Sequence, residues 1–140
     1  DRLQDPGNIG TMIRTAEDAG YKGIILTSGT GDVYSPKVVR AAAGSLFRMP
    51  VLNAGDSGEA VELIRRMGKK ITVTCPDNGI NCFEADMASD TALVIGNEGR
   101  GVSRGFMENA DIKVKIPMAG SIESLNAAVA AGILMYQSQR

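Results

Sequence analysis

Short apolar runs and helical stretches take turns along the whole chain, and this alternation limits the fold more than any other feature. Ile9, Met12, Ile13 and Ala16 fall at helical spacing after Pro6-Gly7, with Asn8 as the expected N-cap and Gly20 as the stop. The run GIILT at 23–27 reads as a strand buried on both faces. Ser35-Pro36 opens a second helix to Ala43, a strand follows over 49–52, and a third helix covers 59–67 before Gly68. Further strands are expected over 71–75, 91–95 and 112–116, with a short helix over 103–109. A closing helix over 124–139 carries Leu125, Val129, Ile133 and Tyr136 on one face, with Ser124 the better cap. The stretch 76–90 has the weakest pattern and reads as a loop with room for a short helix. Strands alternating with helices predict an α/β domain with a parallel sheet covered on both faces.

In such sheets, ligands bind beyond the carboxyl ends of the strands. Three glycine-rich turns fall at strand ends or helix starts and each carries an Asn: DPGNIGTMIRTAEDAG (5–20), VIGNEGRGVS (94–103) and IPMAGSIESLNAAVAAGI (116–133). Backbone N–H groups at such places are free to grip a ligand. Taken singly, Asn8 is a cap, Arg14 a solvated helix residue, Ser124 and Asn126 helix-start residues, and GNEGRG a plain strand-to-helix turn. Their joint occurrence points to one site assembled from distant parts of the sequence. GNEGRG has glycines at 96, 99 and 101, so it is neither GxGxxG nor a P-loop, since no Lys-Ser/Thr follows.

Composition removes other chemistries. At 140 residues, 44% hydrophobic and 22% charged, the chain is one globular domain with room for a core. No run is long enough to span a bilayer, the N-terminus has no signal-peptide character, and a cytoplasmic location is expected. With no histidine there is no Ser-His-Asp or Cys-His centre and no His-containing zinc site. Cys75 and Cys82 lack metal-ligand spacing and read as reduced thiols, so no metal is expected. The net charge of −1 argues against holding nucleic acid by bulk charge. A local basic face remains, from Arg14, Lys37, Arg40, Arg48, Arg100 and Arg104.

The three turns resemble, in order and spacing, the three motifs of the SpoU (TrmH-type) RNA ribose methyltransferases of the SPOUT superfamily. DRLQDPGNIGTMIRTAEDAG is similar to motif 1, ALVIGNEGRGVS to motif 2 and IPMAGSIESLNAAVAAGI to motif 3, and YSPKVVRAAAGSLFRMPV to the family's linking segment. The likeness covers nearly all of residues 1–140. It implies a parallel α/β sheet flanked by helices, with a C-terminal trefoil knot that no periodicity argument would produce.

It further implies a homodimer that binds S-adenosylmethionine and methylates a ribose 2′-hydroxyl in ribosomal or transfer RNA. By resemblance the cofactor lies against Thr27, Ser28 and Gly29, against Gly96, Asn97 and Glu98, and against Ile116, Met118, Leu125 and Asn126. Arg14 is implied as the catalytic residue, reaching the partner's site, with Asn8, Glu98, Ser124 and Asn126 around it. A guanidinium holds its proton far above neutral pH. Arg14 is therefore open to two roles: proton acceptor, or bidentate phosphate holder that stabilises the developing alkoxide.

Departures from the family pattern are Ala42, where Ser is common, and Ala127-Ala128, where bulkier or hydroxyl residues are common. The chain starts on motif 1, so a missing N-terminal RNA-binding domain is expected. Two other readings fit parts of the sequence. One is a knotted RNA-binding or assembly module without turnover. The other is a flavodoxin-like nucleotide domain, which the glycine spacing disfavours.

Overall fold

The computed structural model describes residues 1–87 and 90–140. The helices are α1 (Pro6–Asp18), α2 (Pro36–Ala42), α3 (Ser57–Arg66), α4 (Arg104–Glu108) and α5 (Ala127–Gln137). The strands are β1 (Ile24–Leu26), β2 (Val51–Asn53), β3 (Lys70–Thr74), β4 (Ile80–Asn81), β5 (Thr91–Val94) and β6 (Ile112–Lys115). Every strand pairing is parallel. They form a two-stranded sheet, β1-β2, and a four-stranded sheet in the order β4-β6-β3-β5.

Side chains alternate across the strands and feed two helical layers. Ile24, Leu26, Leu93 and Ile95 join the core beneath α1, α2 and α5, built on Ile9, Met12, Ile13, Val38, Ala131 and Met135. Ile25, Ala92, Val94, Ile71 and Val73 face the opposite way and pack with Ala60, Val61, Ile64 and Phe106 of α3 and α4. A third cluster, Cys82, Met87, Val114 and Leu134, seats the last helix against β6. Both cysteines are free and buried. No described helix is long and apolar enough to cross a membrane.

The expected alternation holds, with local corrections. The N-cap of α1 is Asp5, not Asn8: its carboxylate accepts from Asn8 N at 2.8 Å, and Pro6 takes the first helical position. An Asp ahead of Pro satisfies an orphan N–H and leaves the Asn8 side chain free. Helix α3 starts at Ser57, because Asp56 and Glu59 close a reciprocal capping box. The closing helix starts at Ala127, not at Ser124, because the Asn126 side chain takes the cap, accepting from Ala128 N and Val129 N.

The face of α5 that holds Val129 and Tyr136 is the outer one, 53% and 55% exposed, while Ala128, Ala131, Leu134 and Met135 are buried. β1 is half-buried rather than fully buried, and the sheet is split where a single one was expected. The loop expected over 76–90 contains the two-residue strand β4. Ala88 and Ser89 of that stretch lie outside the described residues.

Candidate functional site

Three neighbouring strands end together. Thr74 of β3 lies level with Val114 of β6, and Val73 with Val94 of β5. The chain therefore leaves β5, β3 and β6 side by side, and the loops at 95–101, 75–79 and 116–126 flank one another. This is where a parallel sheet presents its ligand face.

The loop after β5 is a closed turn. Asn97 and Gly101 exchange backbone hydrogen bonds of 3.0 and 2.9 Å, and the Asn97 side-chain oxygen accepts from Gly99 N and Arg100 N. Asn97 Nδ2 donates to Arg2 O at 2.7 Å, which ties the turn to the start of motif 1. A Cβ on Gly96 would sit 2.3 Å from Gly101 C and Val102 N, so the turn closes only over glycine. Gly79, after β3, is under the same constraint, with Val114 C 2.5 Å from where its Cβ would be.

Glu98 stands at the tip of the turn, pointing back at the first helix. Its carboxylate accepts from Asp5 N at 3.0 Å and from Gln4 N at 3.2 and 3.3 Å. Burial pushes the Glu98 carboxyl up. Hydrogen bonds from the amides of Asp5, Glu98 itself and Gln4, and from the Asn8 side chain, outweigh that and hold it below the usual carboxylate range. Asn8 Oδ1 in turn accepts from Asn126 Nδ2 at 3.0 Å. Asn126, Asn8 and Glu98 therefore form one polar chain through all three glycine-rich segments.

The segment after β6 supplies apolar surface. Residues 117–126 are all exposed, and Ile116 is half-buried at the strand end. Met118 and Leu125 are 39% and 36% exposed. Two exposed apolar side chains beside free strand-end backbone and glycine turns fit a flat, partly apolar ligand such as an adenosine.

Other expected site residues fall elsewhere. Thr27 Oγ1 accepts from Arg2 N and donates to Asp1 Oδ1, both at 3.0 Å, and Asp1 Oδ2 accepts from Ser103 N at 2.7 Å. Thr27 thus reaches the motif 2 segment through both Asp1 and Arg2, whose carbonyl accepts from Asn97 Nδ2. Ser28 donates from its backbone to Gly55 O, and Gly29 O takes a hydrogen bond from Gln4 Nε2. Both face a separate hollow of about 260 Å³ over β1 and β2, lined also by Asp32, Tyr34 and Asn53. The three follow β1 and are tied to the Glu98 turn through residues 1–4, since Gln4 bonds both Gly29 O and the Glu98 carboxylate.

Ser124 is exposed and makes no hydrogen bond among the described residues. Arg14 is exposed on α1 and likewise has no hydrogen-bond or ion-pair partner among the described residues. Of the basic residues singled out, Arg48 is paired with Glu17 and Arg104 with Glu108. Among the described residues, no group of three or more His, Cys, Asp or Glu could hold a metal.

Residues missed in the sequence are the ones that build the frame: Asp1, Gln4, Asp5 and the loop at 75–79. PDNG at 76–79 carries a turn signature directly after a strand, the same signal that marked the other two loops.

Comparison with known proteins agrees with this architecture. The model of the SpoU rRNA methylase family matches residues 1–136, and the chain belongs to that family. It is 42% identical over 136 residues to the 23S rRNA (guanosine(2553)-2′-O)-methyltransferase RlmP of Bacillus subtilis (strain 168), covering 97% of this chain and 54% of that protein. Among solved structures, an AdoMet-bound rRNA methyltransferase from Sinorhizobium meliloti superposes with a TM-score of 0.93 at 36% identity, over 99% of this chain and 53% of that one. The SpoU methyltransferase AviRb from Streptomyces viridochromogenes, in complex with AdoMet, gives a TM-score of 0.90 at 40% identity, over 99% and 56%. The chain spans about half the length of the curated relatives it matches.

Proposed function

We propose that this domain catalyses methylation of a ribose 2′-hydroxyl in RNA, with S-adenosylmethionine as donor and ribosomal RNA as the substrate. The observation that carries this reading is the hydrogen-bonded chain Asn126–Asn8–Glu98, which draws the three glycine-rich segments to one strand-end face. The names of the Bacillus and Sinorhizobium relatives, and the AdoMet in two solved neighbours, support the choice of donor and acceptor.

When bound, S-adenosylmethionine supplies an electrophilic sulfonium methyl group. The chain's own residues do the rest. Gly96, Asn97 and Glu98 shape one wall with backbone and polar groups, and Ile116, Met118 and Leu125 offer the apolar one. The 75–79 loop lies between them, and we assign it to the cofactor wall in place of Thr27, Ser28 and Gly29. The knotted closure implied by family likeness belongs to the same reading, with the 116–126 segment as its last pass.

A 2′-hydroxyl is a very weak acid, so its developing negative charge needs a partner. Asn126 and Asn8 are spent on each other and on Glu98, whereas Arg14 has no ion-pair partner among the described residues. We assign Arg14 to the RNA phosphate and the nascent alkoxide of a partner subunit's site. A homodimer is supported by the outer face of α5, where Val129 and Tyr136 lie exposed. Such a dimer, in the cytoplasm and without metal, is the working form in this reading.

Titration calorimetry beside a tritiated-methyl transfer assay tests it. Arg14→Ala is expected to bind S-adenosylmethionine as the parent does and to lose transfer to RNA. Full transfer in that variant refutes the role of Arg14. Failure of the parent to bind the cofactor would move the domain to the non-catalytic RNA-binding class.

A further inference from the structure

The hollow of about 260 Å³ at the ends of β1 and β2 has no part in the chemistry assigned above. It opens beyond the carboxyl ends of two parallel strands, where such sheets take their ligands. Gln4 joins it to the Glu98 turn. The Gln4 backbone N–H donates to the Glu98 carboxylate at 3.2 and 3.3 Å, and the Gln4 side-chain amide donates to Gly29 O at the rim of the hollow. A single residue spans the interval, so a single nucleotide can bridge it too.

The walls are held by backbone contacts, which leaves polar side chains over. Ser28 N donates to Gly55 O at 2.7 Å, Thr30 N to Thr27 O at 3.2 Å and Ser35 N to Asp32 O at 3.2 Å. Val33, 4% exposed, anchors the far wall in the core beneath α1 and α2. The Asp32 carboxylate spends one oxygen on Tyr34 N at 2.9 Å and keeps the other free. The Asn53 amide and the Tyr34 hydroxyl have no hydrogen-bond partner among the described residues. Tyr34 is 69% exposed, so its ring stands in solvent at the rim.

No Lys or Arg lines the hollow. A carboxylate with no cation beside it repels a phosphate, so this is not a seat for the RNA backbone. It suits a neutral, flat ligand that donates hydrogen bonds, and a nucleobase is such a ligand. Bases of single-stranded RNA are read in this way, stacked on an aromatic side chain and hydrogen-bonded along their edges. Guanine alone of the four presents two neighbouring donors, N1–H and the 2-amino group, beside an acceptor, O6. The free Asp32 oxygen accepts from the donors, and Asn53 Nδ2 donates to O6. The volume is below that of a site that engulfs a drug-sized ligand, which suits one base with its ribose left outside.

We propose that this hollow receives one unstacked guanine of the RNA strand, beside the ribose that is methylated, with Tyr34 stacking on it, Asp32 taking its donor edge and Asn53 its O6. The RNA comes from the methyl-transfer reading, on which the assignment rests. Binding is measured without cofactor, so the two fail separately.

Amide shifts of the 140-residue chain are followed by NMR as GMP, AMP, CMP, UMP or inorganic phosphate is added, with S-adenosylmethionine left out. GMP is expected to move the amides of 28–34 and 53–55 and to bind about fivefold or more tightly than UMP. Inorganic phosphate is expected to move none of them. Asp32→Asn keeps an oxygen for Tyr34 N and loses the charge that takes the guanine donors. It is expected to weaken GMP about fivefold or more and to erase the preference over UMP. Tyr34→Ala is expected to weaken all four nucleotides about fivefold or more, while Tyr34→Phe keeps the stacking face and binds as the parent does. Absence of GMP shifts at 28–34, equal affinity for the four nucleotides, the same shifts with phosphate alone, or an unchanged preference in Asp32→Asn each overturns the proposal. Selective GMP binding by a chain that transfers no methyl group supports the hollow's role and removes only the reaction.

Discussion

Asn126 and Asn8, 118 residues apart in the chain, meet through a single 3.0 Å hydrogen bond whose direction is fixed. The Asn126 oxygen is occupied by Ala128 N and Val129 N at the start of α5, so its amide nitrogen must be the donor. Asn8 then accepts with its oxygen and turns its own amide nitrogen to the Glu98 carboxylate. The helix cap thus sets the polarity of the whole chain of contacts.

This polarity separates two roles of one residue. Asn126→Asp keeps the oxygen that caps α5 and loses the donor to Asn8. Its stability is expected within about 1 kcal/mol of the parent, while Asn126→Ala loses about 1 kcal/mol more through the cap. Methyl transfer is expected to fall at least tenfold in both, about 1.4 kcal/mol or more of transition-state stabilisation. Urea titration beside the transfer assay checks this, and parental activity in Asn126→Asp would remove the contact from the chemistry.

Glu98 is held ionised, and the sign of its pH effect follows. A carboxylate whose folded pKa is depressed contributes above its unfolded pKa, and the contribution is lost as pH falls through the lower folded value. Cofactor affinity is expected to stay flat through the ordinary carboxylate range, near pH 4, and to fall only below it. Glu98→Gln is expected to bind more weakly at neutral pH and to show no such acid limb. Calorimetric titrations across pH give both curves.

Gly96 tolerates no side chain. In Gly96→Ala the new methyl would overlap the backbone of Gly101 and Val102, which cannot retreat without opening the Asn97–Gly101 bridge. A loss of about 2 kcal/mol or more is expected, at the upper end of overpacking costs. Gly99→Ala, where the nearest atom is Asn97 Oδ1 at 3.7 Å, is the control and is expected to melt like the parent.

Arg14 is exposed and unpaired among the described residues, so Arg14→Ala is expected to shift stability by less than about 0.5 kcal/mol. If it serves the partner's site, inactive Arg14→Ala and inactive Glu98→Gln subunits should complement each other. An equimolar, fully exchanged mixture is expected to recover about a quarter of parental transfer, since half the dimers are mixed and each holds one intact site. A mixture that stays inactive places Arg14 in its own subunit's chemistry.

The sequence carried much of this architecture because local signals agreed with it. Ser35-Pro36 capped α2 where expected, and the apolar runs at 71–75, 91–95 and 112–116 each proved to be a strand. Asn8, Glu98 and Asn126 converge as their shared glycine-rich setting implied. What stayed hidden depends on strand order. Thr27, Ser28 and Gly29 follow a strand as plainly as Gly96 does, yet the strand order leaves β1 outside the row β6-β3-β5. The 75–79 loop was passed over because it begins a stretch of weak pattern, although it leaves the central strand of the three. Asp5 and Asn8 could each cap α1 by type. The choice follows from Pro6, which fixes where the helix begins.

The bond between Asn8 and Asn126 also sets a timetable. Its two halves stand 118 residues apart, so during synthesis Asn8 waits until the residues between them have been made. A growing chain still lacking its last helix has the Glu98 turn and an unguided Asn8, but no third motif to lock them.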